Sequence, residues 1–193
     1  MEPFQLLAHP WWINLLAGVP FVVWWSWHRT GLRLPTSQLG WLTVWGAAFG
    51  FVEATVVVYL RAVIGLSRGY DATLADIARL SSRLAVQPST DLPMDLLVLE
   101  GWREAATIVM LLCLALIVVR PWRERAACFL WAFAAWDLAY YAVLWATIRW
   151  PPSFTTLDTL FLIPVPWTAQ VWFPLLVSAL TMVAILCCVD RSK

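Results

Sequence analysis

Five ionisable side chains stand inside stretches otherwise apolar enough to be buried: Glu53, Glu100, Arg103, Glu104 and Asp137. An ion near the centre of a bilayer is costly unless it faces protein or water and finds a partner. Glu100, Arg103, Glu104 and Thr107 recur at spacings that place them on one face of a helix, and Asp137, Tyr140 and Tyr141 share a face by the same rule. If both faces turn inward with Glu53, they enclose a carboxylate-rich cavity opening to the outer side. At a helical rise of about 1.5 Å per residue, Glu53 is expected roughly 14 Å, Asp137 roughly 18 Å and Glu104 roughly 10 Å from the outer ends of their segments. Arg103 lies at a depth similar to Glu104, and Glu100 lies near the entrance. Arg103 can neutralise one carboxylate and Arg61 a second, at the rim. At least one of the crowded, desolvated carboxylates is then expected to hold a proton at neutral pH.

A proton held in this way can act as a general acid, enter a relay or bond to a ligand. The corresponding chemistry is acid/base rearrangement, cyclisation or group transfer on a lipid or prenyl-type molecule, or simple binding of one. The catalytic set is Glu53, Glu104, Asp137 and Tyr140. In it Asp137 or Glu53 donates the proton, Glu104 is the counterpart, and Tyr140 or Tyr141 orients the reacting group. Glu100, Arg103, Tyr141 and Trp136 are expected to contact the substrate. Trp102, Trp136 and Trp145 are the indoles placed to line a pocket and to stabilise a developing cation.

Two other functions fit the same residues. Buried Glu–Arg pairs also join helices, which suits a non-catalytic subunit of a larger membrane complex. Proton or ion passage is the third reading, although the cytoplasmic half is dry. No metal or other cofactor is expected. In carboxylate-bridged metal bundles a Glu is followed three residues later by His, whereas Glu100 is followed there by Arg103. His9 and His28 sit at opposite ends of one segment. Walker A, GxGxxG, HExxH and GxSxG sequences are all missing, which removes support for ATP-driven transport, nucleotide redox and serine or zinc hydrolysis.

The elements that must carry these residues are long apolar runs. Segments at about 11–27, 41–66, 97–119, 127–150 and 171–189 predict an all-α bundle of five transmembrane helices in a single domain. The first is bounded by Trp pairs as an interfacial belt would be. It carries Pro20 near its middle as an expected kink, and without a basic leader before it reads as a retained helix. In the second, Gly46, Gly50 and Ala54 recur every four residues, a smooth ridge suited to close helix approach. This ridge is a candidate surface for a second copy or for other membrane subunits. Residues 67 to 96 are charged at intervals, and Leu74, Ile77, Leu80 and Leu84 predict a short amphipathic helix between the second and third spans. Residues 151 to 168 contain Pro151, Pro152, Pro164 and Pro166 and read as a proline-rich interfacial loop or shallow re-entrant cap.

Composition agrees with this architecture. Of 193 residues 62% are hydrophobic, 13% are charged, and the mean hydropathy is +0.74. That charged share is about half of the roughly 25% usual in soluble domains. Thirteen basic residues against twelve acidic ones give no field for nucleic acid. Cys113, Cys128, Cys187 and Cys188 lie within apolar segments and read as small hydrophobes. Most of the 15 tryptophans suit interface belts, including Trp150 and Trp167. Arg29, Arg33, Arg120, Arg123, Arg125, Arg191 and Lys193 follow the odd-numbered spans. This asymmetry places the C-terminus in the cytoplasm and the N-terminus outside, as in a bacterial cytoplasmic membrane.

Overall fold

The architecture comes from a computed structural model, which describes residues 6–65 and 94–190. A 3₁₀ helix at Trp11–Gly18 runs into α1 at Val19–Trp27. It is followed by α2 at Thr36–Gly65, α3 at Met94–Val118, α4 at Trp122–Ile148 and α5 at Trp172–Cys188. Three stretches within them, Thr36–Arg61, Leu97–Val118 and Trp122–Ile148, are long and apolar enough to cross a membrane, and α5 is a shorter apolar helix. The amphipathic helix expected over Leu74 to Leu84 lies outside the described residues.

The first segment is not one kinked helix. Its N-terminal half is wound as 3₁₀, and Pro20 falls at the start of α1, where a missing N–H interrupts no hydrogen bond.

The proline-rich segment is not a loop either, so the fold is mainly but not wholly helical. Strands β1 (Leu157–Phe161) and β2 (Trp167–Gln170) form an antiparallel hairpin with Asp158 opposite Ala169, Thr159 opposite Thr168 and Phe161 opposite Trp167. Pro164 and Pro166 fall in the connection between the strands, where no ladder donor is lost. The flanking Thr, Leu, Phe and Trp residues suit a pleated, half-buried surface. Upstream, Trp150 precedes Pro151, which disfavours continued helix. α4 accordingly ends at Ile148 with Arg149 in the left-handed region, at φ 55°.

α2 packs most extensively on α4, while α5 packs on both α1 and α4. The ridge of small residues makes the first of these contacts. A Cβ on Gly46 would come within 2.8 Å of the Ala135 Cβ, and one on Gly50 within 2.7 Å of the Trp136 carbonyl oxygen. Ala54 is fully buried. The ridge considered for a second chain is thus used inside this one. Trp131 Nε1 donates across the same interface to the Leu39 carbonyl (3.0 Å) and Thr43 Oγ1 (2.9 Å). Short backbone bridges tie both ends of the bundle, His9 with Thr168 at one end and Leu32 with Val189 at the other.

Candidate functional site

The hairpin end of the bundle encloses a cavity of about 420 Å³, within the range of roughly 300–1,000 Å³ typical of small-molecule sites. α2 contributes Glu53 and Val57, and α3 contributes Arg103, Glu104, Thr107 and Ile108. From α4 come Phe133, Trp136, Asp137, Tyr140 and Tyr141, at spacings that repeat along one side of the helix. The hairpin adds Asp158, Thr159, Phe161 and Trp167, and α5 adds Phe173, Ser178 and Thr181.

Seven of the eight site residues named from sequence therefore line one cavity: Glu53, Arg103, Glu104, Trp136, Asp137, Tyr140 and Tyr141. Glu100 is not in its wall. It accepts hydrogen bonds from the Arg103 guanidinium, including one from Nε at 2.9 Å. The same guanidinium forms an ion pair with Glu53, so Arg103 bridges two carboxylates rather than neutralising one. Thr107 Oγ1 donates to Glu53 Oε1 at 3.1 Å. Glu53 is thus held by a cation and a hydroxyl, one on each carboxylate oxygen.

The other carboxylates are each paired with a dedicated donor. Ser178 Oγ donates to Asp137 Oδ2 at 2.8 Å, and the Leu162 backbone N–H donates to Glu104 Oε2 at 2.7 Å. Tyr141 OH donates to Asp158 Oδ2 at 2.7 Å, and the Thr159 N–H donates to Asp158 Oδ1 at 2.8 Å. No described Arg or Lys forms an ion pair with Asp137 or Glu104. Asp137 is deep in the bundle yet only half-buried, because it borders the cavity. Among the described residues, no three His, Cys, Asp or Glu side chains gather in a metal-holding arrangement.

The aromatic wall is continuous. Phe133 meets Trp136 edge-on with centroids 5.1 Å apart, Trp136 lies 6.3 Å from Phe161, and Phe161 lies 5.3 Å from Trp167. Trp102 and Trp145, expected to share this wall, are instead exposed at 72% and 53%. They lie on the outward faces of α3 and α4. Trp167 and Trp150, read as belt residues, both point inward. Trp150 is fully buried, with the Arg61 guanidinium 4.2 Å from its ring centroid. Arg61 is therefore not at a hydrated rim. It is fully buried, and its three guanidinium nitrogens have no hydrogen-bond partner among the described residues.

Asp158 was not anticipated from sequence. The signal available was an acidic residue inside the apolar, proline-rich stretch, and it acquires meaning only once the strands pair. Toward the opposite end, Leu39, Leu42, Leu111, Ala115, Trp131 and Ile185 form an apolar core beyond the cavity. No family model, curated protein or solved structure matches this chain.

Proposed function

We propose that the chain is a membrane protein of five spans that binds a lipid-type hydrophobic molecule in this cavity and exchanges a proton with it. The observation that carries the reading is the placement of Asp137: a carboxyl group without a basic partner among the described residues, bordering a cavity whose wall is otherwise largely apolar. Such a group can pass a proton to a basic atom of the bound molecule and keep the Ser178 hydrogen bond as the anion forms. Glu104, anchored to the hairpin backbone, is the second proton-exchanging group, and Tyr140 orients the reacting atom. Glu53 is reassigned from proton donor to anchor, because Arg103 and Thr107 engage both of its carboxylate oxygens. Arg103 in turn holds α2 and α3 together at the cavity wall.

The apolar core beyond the cavity supports a closed-ended site over a continuous polar path for protons or ions. The basic residues of the connections at the Leu32–Val189 end support a cytoplasmic position for that end.

The direct test is an experimental density map of the protein extracted in its native lipid. Non-protein density beside Glu104, Asp137 and Tyr140 is the expected result. A chain that purifies only with unrelated subunits, its cavity filled by side chains, would overturn the proposal in favour of a structural role.

A further inference from the structure

Building on that binding site, we infer that the molecule it accepts carries an alkylamine head, held as the cationic ammonium between Asp137 and the aromatic wall. The wall presents acceptors and ring surface, and several of its donors are already engaged or covered. The Ser178 and Tyr141 hydroxyls already donate to Asp137 and Asp158. The Arg103 guanidinium is engaged by Glu53 and Glu100. The indole N–H groups of Trp136 and Trp167 are buried against protein, although both residues line the cavity. The parts of those rings that meet the cavity are therefore carbon surface.

Asp137 differs from these donors. Oδ2 is held by Ser178, while Oδ1 has no partner among the described residues and is not among the occluded polar atoms. An anionic head would meet the Asp137 and Glu104 carboxylates, while the Arg103 guanidinium in the wall is already held by Glu53 and Glu100. A cation gains a carboxylate oxygen together with the aromatic surface of Phe133, Trp136 and Phe161, the pairing of anion and aromatic rings by which ammonium groups are recognised. The roughly 420 Å³ available holds such a head and part of an alkyl chain. A neutral amine fits the same place by taking a proton from Asp137. One N–H bond forms as one O–H bond breaks, leaving an ammonium carboxylate pair.

The test uses the full chain in nanodiscs of zwitterionic lipid, with empty nanodiscs as the partition control. Equilibrium dialysis compares radiolabelled octyltrimethylammonium with its uncharged isostere, in which carbon replaces nitrogen. The ammonium should bind more tightly by about tenfold or more, and Asp137→Asn should abolish that preference while sparing the isostere. Equal binding of the two probes to the wild-type chain would overturn the cationic head and leave the cavity reading intact. An ammonium preference that survives Asp137→Asn would also overturn it. Saturable binding of neither probe would remove the binding site itself. Should Asp137→Asn fail to fold, Phe161→Leu replaces it, and an undiminished ammonium preference there would equally overturn the inference.

Discussion

Arg103 is the residue on which the charge arrangement turns. It lies on α3, yet its guanidinium reaches Glu53 on α2 as well as Glu100 on its own helix. Removing one partner of such a group leaves a poorly solvated charge behind, which costs more than the pair itself contributes. Arg103→Met should therefore lower the unfolding midpoint in detergent, and Glu53→Gln placed on top should restore part of the loss. The double-mutant cycle should give a coupling of about 1–3 kcal/mol. Additivity within roughly 0.5 kcal/mol would mean that the two side chains do not interact. Such residues are legible in the sequence because a charge in an apolar run is conspicuous, and helical spacing then assigns its face. Their hydroxyl partners are not legible in the same way. Ser178 is 41 positions from Asp137, and nothing local distinguishes it from a serine facing lipid.

At the scale of elements, the α2–α4 contact brings Glu53 and Asp137 into the wall of one cavity. It depends on hydrogen-only side chains at two places. Gly50→Ala would put a methyl group 2.7 Å from the Trp136 carbonyl and 2.9 Å from the Tyr140 nitrogen, both backbone atoms that cannot swing aside. The expected cost is about 1–3 kcal/mol or more, measured as a lower unfolding midpoint. Gly40→Ala meets nothing within 4 Å and should leave the midpoint unchanged or slightly higher. Equal effects at the two positions would show that the helices are not in this close contact. The ridge was visible in the sequence, but its partner was not, since Gly46 and Gly50 serve a neighbouring helix and a second chain equally well. The hairpin was hidden for a different reason. Four prolines in a short apolar stretch argue for irregular backbone, and only cross-strand pairing shows that Pro164 and Pro166 occupy the turn. Trp150 and Trp167 were misplaced because an indole near a segment end reads alike whether it faces lipid or core.

The whole molecule has two unlike ends, one with the cavity and hairpin and one with an apolar core behind basic connections. The proposed orientation makes a prediction at this scale. With Cys113 and Cys187 replaced by Ala, a single cysteine introduced at Thr155, in the exposed approach to the hairpin, should react with a membrane-impermeant maleimide on intact cells. One introduced at Thr30 should react only after lysis. The reverse pattern would invert the topology and turn the cavity toward the cytoplasm. Labelling of both on intact cells would argue against a membrane-spanning bundle between them.

The bridges that clasp the two ends carry a consequence for how the protein is made. His9 pairs with Thr168 and Leu32 with Val189, and α1 finds its main helical neighbour in α5. α1 leaves the ribosome well before α5 and therefore waits for it before it can dock. Contacts so distant along the chain are late and slow to form, and surface left uncovered meanwhile is available to other proteins. During synthesis Ile13 and Val23, both buried in the finished bundle, must be sheltered by lipid or by the insertion machinery until α5 arrives.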